Sequence, residues 1–230
     1  MPAKNIVKIY VENGYYHIYN RGVEKQTIFH DDDHYRVFLS CLKQLLLPPE
    51  KIIPISHEFT VQGVTLHGMS HKRKNYYSQI ELLAYTLMPN HFHLLIHQTY
   101  PKAIDQFMQS LSIRYSLFYK KTHKRIGPLF ENAYKAVNIT EEPYLLHLSR
   151  YLHRNAKNLT KNLADWYSSY GDYLGLHHTE WVKPDIILES FKPGTLPFLK
   201  HTNTYKSFVE YDNEELDQYI DPRLALEDDM

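Results

Sequence analysis

The pattern of apolar and polar positions divides the chain into alternating strand-like and helix-like stretches. Residues 15–20 (Tyr15, Tyr16, His17, Ile18, Tyr19, Asn20) are aromatic and β-branched with polar positions interleaved, and they run into Arg21-Gly22, which predicts a strand ending in a turn. Asp31, Asp32 and Asp33 precede apolar positions Tyr35, Phe38, Leu39, Leu42 and Leu46 at helical spacing, an acidic start that suits the positive end of a helix dipole. Pro48-Pro49 ends that helix. Residues 82–88 and 93–97 are strand-like and joined through Met88-Pro89-Asn90-His91, a pair of turn formers that predicts a tight reversal. Pro101 opens a second helix with apolar positions Ile104, Phe107, Met108, Leu111, Tyr115 and Phe118, stopped by Gly127-Pro128. Residues 134–139 alternate again, and Thr140-Glu141-Glu142-Pro143 predicts the cap and first turn of a third helix reaching about Asn158.

Strand, helix, strand, strand, helix, strand is the order of an α+β, ferredoxin-like split βαβ fold: an antiparallel sheet with helices packed on one face, followed here by one additional helix. Residues 50–80 hold strand-like pieces around Gly63 and a polar basic loop, and read as an inserted hairpin. One main domain is expected over residues 1–160. Residues 161–230 form a C-terminal extension, first aromatic (Trp166, Tyr167, Tyr170, Tyr173, Trp181) and expected to wrap the domain, then acidic and flexible at the end.

Charge refines this picture. Lys plus Arg and Asp plus Glu are each 26, so no net positive charge announces a nucleic-acid partner. The distribution is uneven: Lys120, Lys121, Lys124 and Arg125 cluster mid-chain, while Glu214, Glu215, Asp217, Asp221, Glu227, Asp228 and Asp229 load the end. A single cysteine, Cys41, excludes a disulfide framework and a Cys-rich zinc site. With a polar beginning and no run of membrane-spanning length, a soluble, cytoplasmic protein is expected. Twenty tyrosines and 15 histidines supply stacking surfaces, metal ligands and groups that titrate near neutrality.

Two constellations carry chemistry. In His91-Phe92-His93 the period of a strand puts both imidazoles on one face, a pair suited to a divalent metal; the competing reading is a half-buried strand end whose rings hydrogen-bond locally. In Tyr151-Leu152-His153-Arg154-Asn155, Tyr151 and Asn155 are four residues apart and share a helix face along the border of the apolar stripe Leu145, Leu148, Leu152 and Leu159. An amphipathic aromatic at the core edge is the alternative for Tyr151. His153 projects from the other side of the stripe.

Residues 16–22 (Tyr16, His17, Ile18, Tyr19, Asn20, Arg21, Gly22), residues 88–95, Gly127-Pro128-Leu129-Phe130 and residues 151–155, in this order, resemble the REP-associated tyrosine transposases and their insertion-sequence relatives, over about residues 15–190. The resemblance implies a ferredoxin-like catalytic domain in which His91, His93 and Asn155 hold Mg²⁺ or Mn²⁺ and Tyr151 is the nucleophile. The activity implied is a metal-dependent single-stranded DNA endonuclease and strand transferase, a transposase that leaves a 5′-phosphotyrosine and a free 3′-hydroxyl. The partner implied is single-stranded DNA with REP-like hairpins, bound by a monomer or homodimer; candidate DNA contacts are Arg21, Arg114, Lys120, Lys121, Lys124 and Arg125. A non-catalytic, domesticated hairpin-binding regulator is the alternative of a different class. The chain departs from the family at Ala156, where a proline is common, at Glu131-Asn132-Ala133-Tyr134, where a glycine and a basic residue are more usual, and in the insertion at 50–80.

Overall fold

The computed structural model describes residues 10–52, 74–192 and 204–211, together with the backbone of two strands between the first two spans. Along the chain run β1 (Gly14–Arg21), α1 (Asp32–Leu46), β2 (Ser56–Val61), β3 (Val64–Met69), β4 (Ile80–Met88), β5 (His91–Gln98), α2 (Ala103–His123), β6 (Lys135–Ile139) and α3 (Glu142–Arg154). The main sheet has the order β4-β5-β1-β6 and every neighbouring pair is antiparallel. Since β5 opposes both β4 and β1, those two are parallel with β5 between them, which is the split βαβ arrangement the element order predicts. β2 and β3 pair with each other in a separate two-stranded sheet. The chain after them is anchored: Tyr76 is buried and donates its hydroxyl to the Gln106 carbonyl, and Asn75 donates to the carbonyls of Gln44 and Leu47.

Strand alternation divides the sheet into two faces. Ile18, Leu82, Leu87, Phe92, Leu94 and Ile96 lie under α1 and α2, where Phe38, Leu42, Phe107, Leu111 and Tyr115 close the larger core. Each such fully buried apolar side chain contributes roughly 1.5–3 kcal/mol. Leu95, Leu83 and Ala84 lie on the other face under Leu145, Leu146, Leu148 and Leu152 of α3. Two consecutive β4 residues reach that face because the register slips by one between Leu82 and Ala84.

The helix boundaries shift in physically legible ways. Asp31 caps α1 by accepting from the His34 amide. α2 ends at His123, before Gly127-Pro128, because Lys124 adopts a left-handed conformation (φ 49°) and its amide turns back to the Lys120 carbonyl. α3 ends at Arg154, not near Asn158: residues 156–160 fold into turns, with Leu159 donating to the Ala156 carbonyl. Leu159 is consequently exposed, and Leu146 takes a place in the apolar stripe instead.

The aromatic segment after α3 covers the β4 edge. Backbone bonds link Leu87 N to Tyr167 O, Ser169 N to Tyr85 O and Lys183 N to Leu82 O, so groups that would otherwise template another strand are paired within the chain. Tyr167 stacks on Tyr35 at 4.0 Å, Trp181 stacks on Tyr85, and the Trp166 indole donates to the Leu87 carbonyl. Short helices α4 (Tyr170–Tyr173), α5 (Asp185–Glu189) and α6 (Tyr205–Glu210) complete the second core beside α3. The acidic end at residues 212–230 lies outside the described residues.

Candidate active site

β5 carries His91 and His93 on the face that α3 covers, and both imidazoles are buried, at 6% and 0% exposure. Their rings lie 5.0 Å apart and nearly perpendicular. Tyr151 of α3 sets its ring edge-to-face against His93, with centroids 5.9 Å apart. One turn on, Asn155 occupies the C-cap of α3 beside His91, close enough for its amide to favour the charged imidazole but without a well-aligned hydrogen bond. The four residues singled out from two distant segments are thus gathered between the sheet and one helix.

The ring nitrogens are not equivalent. Asn90 donates its amide Nδ2 to the Lys25 carbonyl, which fixes the amide so that Oδ1 faces His91 Nδ1 at 2.6 Å. An amide oxygen only accepts, so His91 carries its proton on Nδ1 and keeps a lone pair on Nε2. Asn90 in turn is held by the loop after β1, where its carbonyl receives the Gly22 amide. A Cβ on Gly22 would collide with the Gln26 carbonyl, so this close approach requires glycine. His93 Nδ1 lies 2.8 Å from Nε2 of His17 on β1. Nε2 of His91, Nε2 of His93 and both amide atoms of Asn155 are buried without a hydrogen-bond partner.

Burial keeps these rings neutral. Desolvation lowers His91 to about 4, with the Arg21 charge adding to it and Asn155 opposing. Desolvation likewise takes His93 well below the usual histidine value and His17 to about 3. Neutral imidazoles with bare Nε2 atoms are the form in which histidine binds a metal. Two such nitrogens with an amide oxygen form a donor set that fits a divalent cation, and leaving three buried donors unsatisfied would otherwise cost about 1–3 kcal/mol each. Among the described residues, no group of three His, Cys, Asp or Glu side chains offers another such site.

α3 is held from behind. Arg150, fully buried, donates to the carbonyls of Phe208 and Tyr211, and Arg154 donates to those of Val209 and Tyr211, so the end of α6 is capped by the helix that carries Tyr151. His153 points away from the sheet site, between the Tyr205 hydroxyl and Ser169 Oγ. A cavity of about 320 Å³ lies at the opposite end of α3 between Tyr15, Ile139, Glu142 and Ile186. Nearer the histidines is a small cleft lined by Tyr19, Arg21, Glu131, Asn132 and Lys135.

The basic candidates divide. Arg21, opposite His91 in the sheet register, is ion-paired with Glu131 at 3.2 Å. Lys120, Lys121 and Lys124 are exposed around the C-terminal end of α2, on the other side of the sheet from Tyr151. Arg125 reaches Gln26 and Pro128 O, which places that basic end near the loop that abuts Asn90. Arg114 donates to the Lys74 carbonyl and lies away from the site. Two buried polar residues beside the histidines escape sequence reasoning: His17, and Thr86, which pairs with His93 across the β4–β5 register. Strand alternation places His17 on the face of Tyr15 and Tyr19, but which strand lies beside it is set by the sheet order.

Residues 66–155 match the family Transposase IS200 like. That span runs from β3 to Asn155, so it holds His91, His93, Tyr151 and Asn155 and leaves out β1. The fold is similar to a solved structure described as the REP-associated tyrosine transposase bound to a REP hairpin, at a TM-score of 0.52 and 10% identity over 79% of this chain and 92% of that one. The resemblance drawn from the sequence motifs and the α+β fold expected from it are both met. A search of curated proteins finds no match. Among the described residues, no helix is long and apolar enough to cross a membrane.

Proposed function

We propose that this chain is a metal-dependent single-stranded DNA endonuclease and strand transferase acting through a phosphotyrosine at Tyr151, with His91, His93 and Asn155 holding Mg²⁺ or Mn²⁺. A transposase role is what the family match supports at the coarser level. The finer reading rests on one observation: three buried donor groups, on His91, His93 and Asn155, converge beside the Tyr151 ring without a well-aligned hydrogen bond to satisfy them. A bound divalent cation would draw charge from a non-bridging phosphate oxygen and favour the ionised phenol.

The chain's own residues define the remaining steps. Tyr151 Oη attacks phosphorus, forming the Oη–P bond as the P–O3′ bond breaks; the phenolic proton passes to solvent and the departing 3′-oxygen takes one up. The ester keeps the bond energy, so a 3′-hydroxyl from a second strand reverses the step and joins strands without a nucleotide cofactor. Clamping of α3 by α6 fixes Tyr151 next to the histidines of its own chain. The substrate proposed is single-stranded DNA carrying a REP-like hairpin, with the Tyr19–Arg21 cleft and the basic end of α2 as its path.

The test incubates the protein with 5′- and 3′-labelled single-stranded hairpin oligonucleotides from its genomic neighbourhood and Mn²⁺. A denaturation-resistant adduct is expected that keeps the label 3′ of the cut and vanishes in Tyr151→Phe and on chelation. Binding without an adduct on any such hairpin would leave the non-catalytic regulator as the reading.

A further inference from the structure

His17 is a buried side chain at this site for which the chemistry above has no use. It is fully buried on β1, with Nε2 2.8 Å from His93 Nδ1 and the two ring planes within 17° of each other. Its other nitrogen, Nδ1, is buried without a hydrogen-bond partner. A neutral pair joined this way shares one bridging proton and has two arrangements. If His17 donates, His93 carries its remaining proton on Nε2, a buried N–H with no acceptor and no lone pair for a cation. If His93 donates from Nδ1, its Nε2 presents a bare lone pair toward the cluster formed with His91 and Asn155, and His17 carries its own proton on the unpartnered Nδ1; each arrangement leaves one buried N–H without an acceptor, and only this one leaves His93 a lone pair for a cation.

We propose that His17 is a positioning residue for the metal site: its Nε2 accepts the Nδ1 proton of His93 and thereby directs the His93 Nε2 lone pair to the cation. The inference rests on the reading that His91, His93 and Asn155 hold that cation. His91 has the same arrangement from a different source, since Asn90 accepts its Nδ1 proton at the turn into β5. Each ligand histidine is therefore oriented by its own acceptor, one from the turn and one from the neighbouring strand. Such partners typically contribute 10–100-fold to metal affinity because they fix both tautomer and ring orientation. Tyr19 packs against the His17 and His93 rings, with centroids 4.9 and 5.7 Å away, and restricts the freedom of both rings to turn.

The experiment measures Mn²⁺ alone, by the loss of its free-ion electron paramagnetic resonance signal, on the full chain and on His17→Leu, His17→Gln and His91→Ala. His17→Leu should weaken Mn²⁺ binding about 10–100-fold, whereas His17→Gln, whose amide oxygen still accepts, should recover most of it. Nitrogen NMR of the wild-type imidazoles with Mg²⁺ gives a second readout that survives a variant that does not fold: His93 is expected to carry its proton on Nδ1. A proton on Nε2 of His93, or a folded His17→Leu that binds Mn²⁺ as tightly as wild type, overturns the inference. Wild-type protein whose Mn²⁺ binding is absent or unaffected by His91→Ala instead overturns the reading of the site on which it rests.

Discussion

At the scale of residues, the site concentrates imidazoles that the fold keeps neutral, and this has a consequence for stability. His91 is lowered to about 4, and His17 and His153 to about 3, each chiefly by burial. The unfolded chain takes up protons on these rings below about pH 6.5, while the folded chain does not until its own lower values are reached. Between those limits the unfolded state binds more protons, so stability is full above about pH 6.5 and declines as the pH falls toward 4. At pH 5.5 the loss is about 1 kcal/mol for each such histidine. Urea unfolding at pH 7.5 and 5.5 is expected to show this decline at constant m. His153→Gln, outside the cluster of His91, His93 and Asn155, should shrink the difference between the two pH values by about 1 kcal/mol; an unchanged difference would mean that His153 protonates without unfolding.

At the scale of elements, α3 depends on the segment it caps. Arg150 is buried and its guanidinium satisfies the Phe208 and Tyr211 carbonyls, at 2.7 Å each, while lying over the Phe208 ring. Arg150→Met keeps most of the volume but leaves the buried Phe208 carbonyl unpaired, and should lower the unfolding free energy by about 1–3 kcal/mol. Arg154→Met, at a partly exposed position, should cost about 1 kcal/mol. Denaturant unfolding that gives the same value for Arg150→Met and wild type would show that α6 does not hold α3. The β4 edge follows the same logic: the aromatic extension pairs its backbone and stacks Trp181 and Tyr167 against the larger core, so the extension belongs to the folded unit that presents the histidines.

At the scale of the whole molecule, the proposed function requires a chain with no net charge to hold DNA through local charge. Lys120, Lys121 and Lys124 form an exposed group at the end of α2, whereas Arg21 is held by Glu131. If the lysines neutralise phosphates, replacing all three by alanine should flatten the dependence of log K on log salt by about 0.7 for each phosphate of single-stranded DNA that is no longer neutralised. Fluorescence anisotropy with a labelled hairpin oligonucleotide at several salt concentrations measures this slope. An unchanged slope would make the lysines solvated charge at a helix C-terminus, where the dipole alone favours them.

The sequence by itself determined the elements and their order, because strand and helix periods, the Asp31 cap and the Pro89-Asn90 reversal are local signals. It also determined that His91 and His93 share a strand face and that Tyr151 and Asn155 share a helix face, since those relations follow from 2.0 and 3.6 residues per repeat. Local signals were weaker at helix ends: the left-handed Lys124 and the turn after Arg154 come from capping geometry that composition does not spell out. Only the tertiary structure decided that the two faces meet, that α3 lies opposite α1 and α2, and that β1 places His17 against His93. Those outcomes depend on strand order and register, which are set by which faces bury the most apolar surface when the whole chain packs. The hydrogen bonds that Nδ1 of each histidine makes, to Asn90 and to His17, are a product of that packing.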